Sequence, residues 1–207
     1  MPPAPRLWDE FASMKKRAVF LDRDGTINVD VGYPRDFAQV TLFPWSAEAI
    51  RKINAAGFVT VVVTNQSGVG RGFYGEDELQ TLHRRMTEAL AAEGARLDAV
   101  YYCPHYDYAA DPRYRGGCAC RKPRPGLAER AAAAFDLDLP ASYMIGDKVE
   151  DVQFGLAFGA APILVRTGFG ESSAVRLAAL GLRPAAAAPH LLEAVAWLLE
   201  RERTRRT

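Results

Sequence analysis

The sequence predicts an α/β protein with a Rossmann-like parallel sheet that helices cover on both faces. Short runs of β-branched residues alternate with longer segments of helical periodicity, which is typical of a parallel sheet with helical crossovers. The best strand candidates are apolar throughout, as expected for strands that are buried on both faces. No insertion is long enough to form a large cap domain.

The strands are expected where these apolar runs occur. Residues 17–22 and 58–63 give the clearest signal, because each is nearly continuous in Val, Phe, Leu or Ala and leads directly into polar residues. Shorter candidates are 98–102, 142–145 and 162–165.

Helices are predicted between and after the strands, at 46–56, 76–93, 126–135, 149–158, 173–180 and 190–203. The first of them has Ser46 as N-cap and Gly57 as its stop. The last has an apolar stripe that is expected to face the core, formed by Leu191, Leu192, Val195, Leu198 and Leu199.

Size and composition favour a single domain over 1–207, of which 1–16 is an N-terminal extension. No apolar run approaches the roughly 20 residues that cross a bilayer, and the N-terminus lacks a long apolar region. We therefore expect a cytoplasmic protein without membrane contact. We also expect it to be a monomer. The 26 basic residues nearly balance the 25 acidic ones, which gives no reason to expect a nucleic-acid partner.

Two carboxylates follow the first predicted strand, in Asp22-Arg23-Asp24-Gly25-Thr26. A sharp bend would bring Asp22 and Asp24 into one cavity, where their repulsion favours a bound divalent cation. With a cation present, one carboxylate can act as nucleophile and the other as acid and base. The pentapeptide alone also fits a strand-ending turn, since Asp and Gly favour turns.

Three further polar segments lie at strand ends or helix starts. Residues 64–68 offer a hydroxyl, amides and a glycine backbone that suit phosphate oxygens. Lys122 lies in a Pro-rich loop that opens a helix and can neutralise a phosphoryl group. Asp147 follows a strand and Asp151 lies on the next helical turn, where either acid could instead be a cap. Because ligands bind at the carboxyl ends of parallel strands, the segments together predict one site.

The three cysteines and one histidine form a C-x-H…C-x-C set at Cys103, His105, Cys118 and Cys120. An odd number of clustered cysteines argues against a disulfide framework. Three thiolates and one imidazole can close a tetrahedral shell around a structural Zn²⁺. We expect 103–120 to be a loop clipped by zinc; the alternative is three free thiols and a surface histidine.

The four polar segments, in this order and each beside a strand, resemble the haloacid dehalogenase superfamily of phosphohydrolases. The resemblance extends from Asp22 to Asp151 and so covers most of the chain. The zinc loop at 103–120 lies between the second polar segment (64–68) and the third (around Lys122). A loop in this place resembles one branch of the superfamily, which contains sugar-phosphate and histidinol-phosphate phosphatases. Gly32-Tyr33 and Arg166-Thr167-Gly168 match that branch too.

The resemblance implies a phosphatase that acts on a small sugar phosphate through a phospho-aspartate intermediate. Asp22 would be the nucleophile and Asp24 the general acid and base, while Thr64 and Lys122 would stabilise the phosphoryl group. Mg²⁺ would be held by Asp22, the main-chain carbonyl of Asp24, and Asp147. The implied substrate contacts are Asp30, Val31, Gly32, Tyr33, Thr64, Asn65, Gln66, Ser67, Arg121, Lys122 and Lys148.

Two other functions stay open at this point. One is a histidinol-phosphate phosphatase or a broader sugar phosphatase. The other is a zinc-stabilised module that binds nucleic acid or sugar phosphate without catalysis, through Arg113, Arg115, Arg121, Lys122 and Arg124. The near-neutral charge weakens the second, and its aspartates would repel phosphate without a metal.

Overall fold

A parallel six-stranded sheet forms the centre of the computed structural model, which describes residues 15–205. The strands are β1 (Ala18–Leu21), β2 (Val59–Asn65), β3 (Ala99–Cys103), β4 (Tyr143–Gly146), β5 (Ala161–Val165) and β6 (Ala186–Ala188). Their spatial order is β3-β2-β1-β4-β5-β6, and neighbouring strands pair in parallel. Most of the predicted extension, residues 1–14, lies outside the described residues.

The helices are α1 (Ser46–Ala55), α2 (Glu76–Ala92), α3 (Gly126–Phe135), α4 (Val149–Ala157), α5 (Gly170–Ala179) and α6 (Leu191–Thr204). Five of them match their predicted bounds to within one residue. Helix α5 begins at Gly170, three residues earlier than predicted. Glycine has a low helix propensity, so the sequence around Gly170 does not indicate the start of a helix. The start is set by tertiary structure, because the Phe169 N–H donates a hydrogen bond to Asp147. No helix in 15–205 is long and apolar enough to cross a membrane.

Strand β1 shows why the apolar runs are continuous. Val19 and Leu21 belong to the apolar cluster under α1 and α6, while Ala18 and Phe20 belong to the cluster under α3 and α4. Successive side chains of a strand point to opposite faces, so a strand covered on both sides needs apolar residues at every position. All four residues are fully buried. The prediction of helices on both faces is confirmed.

Strand β6 is missing from the predicted strands. Its three residues are alanines, which carry no β-branched signal, and they pair with Ile163, Leu164 and Val165 of β5. The strand therefore exists because β5 offers it a partner at the edge of the sheet.

The direction of strand succession reverses between β1 and β4, the two central neighbours in the sheet. Asp22 follows β1 and Asp147 follows β4, so both acids lie where the loops diverge. Such a switch point opens a crevice at the carboxyl ends of the strands, which is where ligands bind in open α/β sheets. The fold thus places the first and fourth polar segments side by side.

Candidate active site

An open cavity of about 760 Å³ lies at the carboxyl ends of the central strands. The predicted residues that line it are Asp22, Asp24, Asp30, Gly32, Tyr33, Thr64, Asn65, Gln66, Ser67, Arg121, Lys122 and Lys148. Val31 is not among them, and its side chain is half exposed. The structure adds four lining residues that the sequence did not suggest: Asp107, Pro123, Glu150 and Phe169. It also places in the lining Arg124, which the sequence suggested only for a non-catalytic module, and Asp151 of the fourth polar segment.

Lys122 lies at the floor of the cavity and is buried. Its ammonium donates hydrogen bonds to Asp22 Oδ1 at 2.8 Å, to Asp151 Oδ1 at 2.6 Å and to the Val63 carbonyl at 2.8 Å. Burial opposes the charge, but Asp151 and Asp22 outweigh it and raise the pKa of Lys122 above its ordinary value. A permanent positive charge therefore lies directly against Asp22.

Asp147 is fully buried and is not among the residues that line the cavity. Its Oδ2 accepts a hydrogen bond from the Phe169 N–H at 2.8 Å, whereas its Oδ1 has no hydrogen-bond partner in the described part of the chain. Burial, with the charges of Asp22 and Asp151, raises the pKa of Asp147 to about 8. Burial also raises the pKa of Asp151 to about 6, in spite of Lys122. The three acids thus repel one another and need a further positive charge.

The same acids meet the geometric needs of a cation site. One carboxylate oxygen from each of Asp22, Asp147 and Asp151 lies within 4.8 Å of the others. An all-oxygen set of this kind, with a buried oxygen that lacks a partner, fits Mg²⁺. Asp151 was not predicted as a ligand, although its position four residues after Asp147 is a usable signal, because a residue on the first helical turn can face back to the strand end.

Two glycines allow the close approach to Asp147. Gly25 and Gly168 both have positive φ, at 84° and 56°, and a Cβ on either would overlap Asp147 Oδ2. Thr167 donates a hydrogen bond to the Gly25 carbonyl, which joins the loop after β5 to the loop after β1. We call residues 166–169 the β5 loop. Its backbone contacts Asp147 directly, because the Phe169 N–H binds the carboxylate and Gly168 packs against it.

Asp24 is bound by three side chains. Its carboxylate accepts hydrogen bonds from Arg23 at 2.8–3.1 Å, from Asn28 at 3.0 Å and from Gln66 at 2.8 Å. Burial would raise the pKa of Asp24, but the charge and hydrogen bonds of Arg23 outweigh it and lower that pKa. The Gln66 amide also donates to the Thr64 hydroxyl at 3.0 Å, which links Thr64 to this network.

The mouth of the cavity carries charged and aromatic groups. Lys148 donates to Asp30 Oδ2 at 3.1 Å, and its ammonium lies 5.2 Å from the centre of the Phe169 ring. Arg121 donates to the His105 carbonyl at 3.2 Å. The Tyr33 ring packs edge-on against Phe73 at 4.9 Å. Such a mouth offers cations for a phosphate and flat apolar rings for a sugar.

The cysteine cluster lies next to this mouth. Cys103, His105, Cys118 and Cys120 place one ligand atom each within 4.8 Å of the others. The separations are 3.6 Å between the Cys103 and Cys118 sulfurs, and 3.5 Å and 3.3 Å from His105 Nδ1 to Cys103 and Cys120. A tetrahedral shell with bonds of about 2.0–2.3 Å places its ligand atoms about 3.5–3.8 Å apart, so the cluster fits zinc.

Comparison with known proteins agrees with this geometry. The HAD-hydrolase-like family matches residues 119–194. The D-glycero-beta-D-manno-heptose-1,7-bisphosphate 7-phosphatases of Photorhabdus laumondii and Escherichia coli K12 are both 44% identical over 152 residues. That stretch covers 73% of this chain and 81% and 80% of those proteins. The chain belongs to this phosphatase family.

Solved structures of the phosphatase family have the same fold. A D,D-heptose 1,7-bisphosphate phosphatase from B. bronchiseptica, complexed with magnesium and phosphate, has a TM-score of 0.77 and 35% identity. The match covers 89% of this chain and 99% of that one. The Burkholderia thailandensis D,D-heptose 1,7-bisphosphate phosphatase has a TM-score of 0.64 at 33% identity, with the same coverage. The predicted superfamily is confirmed.

Sequence reasoning missed several contacts within this family site. Asp151 shares Lys122 with Asp22, Phe169 bounds the mouth, and Arg23 turns inward to Asp24. Arg23 is fully buried although it lies between two acids that were predicted as functional. A buried arginine needs buried partners, and only the packing of distant segments reveals them.

Proposed function

We propose that the chain hydrolyses the 7-phosphate of D-glycero-β-D-manno-heptose 1,7-bisphosphate and leaves heptose 1-phosphate. The observation that carries this proposal is the buried Lys122 bound to Asp22 at the floor of the cavity, in a chain 44% identical to phosphatases named for that substrate. The sequence resemblance predicted a small sugar phosphate as substrate, with histidinol phosphate or a wider range of sugar phosphates as the alternative. The β anomer is the one that those relatives' names carry.

In the first half-reaction, a carboxylate oxygen of Asp22 attacks phosphorus and forms a phospho-aspartate. The bond between phosphorus and the C7 oxygen breaks, and that oxygen takes a proton from Asp24. Lys122 and the Thr64 hydroxyl would stabilise the phosphoryl oxygens. Mg²⁺, held by Asp22, the main-chain carbonyl of Asp24 and Asp147, with Asp151 beside them, would supply further charge neutralisation.

In the second half-reaction, water attacks phosphorus and transfers a proton to the Asp24 carboxylate. The bond between phosphorus and the Asp22 oxygen breaks, which releases inorganic phosphate and restores Asp22. The lowered pKa of Asp24 keeps it ionised before water attacks, which suits a base. A phosphate dianion beside it raises its affinity for the proton that it donates in the next cycle.

The zinc loop would position the substrate contacts. We propose that Zn²⁺ binds Cys103, His105, Cys118 and Cys120, which form a closed shell without room for a reacting water. Cys120 directly precedes Arg121 and Lys122, so the metal would fix the backbone of both cations. Its role is then structural, with an effect on rate through position.

The test is phosphate release from four substrates side by side: both heptose 1,7-bisphosphate anomers, histidinol phosphate and fructose 1,6-bisphosphate. We expect the highest kcat/KM for the β heptose anomer, and loss of activity with EDTA that Mg²⁺ restores. Comparable kcat/KM for histidinol phosphate would overturn the substrate assignment. An unchanged rate without Mg²⁺ would overturn the mechanism.

A further inference from the structure

His83 is a buried histidine that the proposed reaction does not use. It lies on helix α2 and is 5% exposed. Its Nε2 lies 2.9 Å from Arg23 Nη1, although the two residues are 60 positions apart in the chain. The contact joins a helix outside the cavity to the loop that carries Asp22 and Asp24.

Arg23 contacts Asp24 as well as His83. Its Nε lies 3.1 Å from both carboxylate oxygens of Asp24, and its Nη2 lies 2.8 Å from Oδ2. The planar guanidinium thus holds the carboxylate by one edge and His83 by its remaining nitrogen. Arg23 has no exposed surface, so water cannot replace either partner.

The chemistry of the pair sets the state of His83. An arginine has donors and no acceptor, so the His83 Nε2 that faces it must accept and is unprotonated. His83 is then neutral, with its hydrogen on Nδ1. Burial and the charge of Arg23 agree with this, since both lower the pKa of His83, to about 3.

Because His83 is neutral, it does not draw the charge of Arg23 away from Asp24. A glutamate or aspartate at this position would share the charge of Arg23 and compete with Asp24 for it. A neutral acceptor satisfies the third nitrogen and fixes the guanidinium plane, while the whole positive charge remains directed at Asp24.

We propose that His83 is a positioning residue for the acid–base step, because it orients Arg23 and through it the Asp24 carboxylate. The inference rests on the proposed role of Asp24 in phosphate hydrolysis. It predicts an effect on proton transfer without an effect on substrate affinity, since His83 does not line the cavity. A misplacement of about 1 Å in a catalytic group can cost on the order of 100-fold in rate.

The test compares His83→Leu, which removes the acceptor, with His83→Gln, whose amide oxygen can take the place of Nε2. We expect His83→Leu to lower kcat at least tenfold with KM within about twofold, and His83→Gln to stay within about threefold of wild type. Leu90→Val, buried on the same helix about two turns after His83, is the control for lost stability. It should lower the melting temperature and leave kcat unchanged.

The outcomes separate this inference from the proposed function. Asp24→Asn is assayed beside the His83 variants. If Asp24→Asn is inactive while His83→Leu has wild-type kcat, the positioning role is wrong and the function stands. If Asp24→Asn is fully active, the acid–base assignment itself is wrong. Equal losses in His83→Leu and His83→Gln would also contradict the inference. Should His83→Leu fail to fold, His83→Met removes the same acceptor with a more flexible apolar side chain. It should lower kcat with KM unchanged, and a wild-type kcat in this variant would contradict the inference.

Discussion

Lys122 and its two carboxylate partners illustrate how the site works at the scale of single residues. A buried ion costs several kcal/mol unless its partners are close and its other hydrogen bonds are satisfied. Lys122 meets both conditions, with Asp22, Asp151 and the Val63 carbonyl within 2.8 Å. A buried charged lysine therefore stabilises a core less well than apolar residues of the same volume. It is better explained by a phosphoryl group that needs a fixed positive charge.

Asp22→Asn should lower phosphate release by more than about 10³-fold, because an amide is not a nucleophile toward phosphorus. The melting temperature should change little, since Asn keeps an acceptor for Lys122. The measurement is initial rate with Mg²⁺ and substrate in excess. Asp77→Asn, exposed on α2, is the matched control and should be fully active. Near-normal turnover by Asp22→Asn would exclude a phospho-aspartate.

At the scale of elements, the β5 loop acts on a residue from another strand. Its Phe169 N–H binds the Asp147 carboxylate, and Thr167 binds the Gly25 carbonyl. Helix α5 begins directly after these contacts, at Gly170. The loop therefore couples the end of β5 to both loops that carry the acids.

Gly168→Ala should displace Asp147, because the added Cβ would overlap its Oδ2 and approach Gly25 Cα. We expect a loss of at least about 10²-fold in kcat/KM and a higher Mg²⁺ requirement. Gly181→Ala is a matched control, since Gly181 also has positive φ but nothing lies within 4 Å of its Cβ position. Equal activity losses in both variants would attribute the effect to backbone strain alone.

Cys118→Ser should lose zinc and lower kcat/KM while the sheet stays folded. The physical reason is that zinc at Cys120 would fix the backbone at Arg121 and Lys122, whereas the core clusters contain neither Cys118 nor His105. Zinc content, circular dichroism and kcat/KM are measured together. Tyr108→Ser, an exposed change in the same loop, should retain zinc and activity. Folded, zinc-free protein with normal kcat/KM would show that zinc does not affect catalysis.

At the scale of the whole molecule, the acids that would bind Mg²⁺ lower stability when no cation is present. Asp147 has its pKa raised from 3.8 to about 8 by burial and by Asp22 and Asp151. Its carboxyl therefore keeps a proton in the folded state over a pH range in which the unfolded chain has lost it. The protonated Asp147 carboxyl is tolerated in the folded protein, so the stability is highest below about pH 4. As the pH rises through 8 the buried carboxyl loses its proton, and the free energy of unfolding falls.

Asp147→Asn should therefore be more stable than wild type at pH 8 without Mg²⁺, and inactive with it. We expect a gain of about 2–6 °C in melting temperature, which corresponds to about 1–2 kcal/mol for a chain of this size. The gain should shrink toward pH 4, and Mg²⁺ should stabilise wild type more than the variant. Melting curves at pH 4, 6 and 8, with and without Mg²⁺, measure this. A variant that is less stable than wild type at pH 8 would contradict the proposed electrostatic cost.

Sequence alone determined the parallel α/β class, five strands, the places of the helices and the order of the polar segments. These follow from local periodicity and from short motifs, which are properties of neighbouring residues and do not depend on tertiary contacts. The single domain over 1–207, the cytoplasmic location and the monomeric state stay predictions.

Tertiary structure alone decided the contacts between distant segments. The alanines of β6 become a strand because β5 pairs with them. Asp151 becomes a neighbour of Asp22 because Lys122 binds both. His83 contacts Arg23 because α2 lies beside the loop that follows β1. No periodicity or spacing records such contacts, since each depends on where two separately folded elements come to lie. The physical reason is that a buried polar group is stable only with a hydrogen-bond or charge partner close in space. That partner can come from any segment that packs nearby, however distant in sequence.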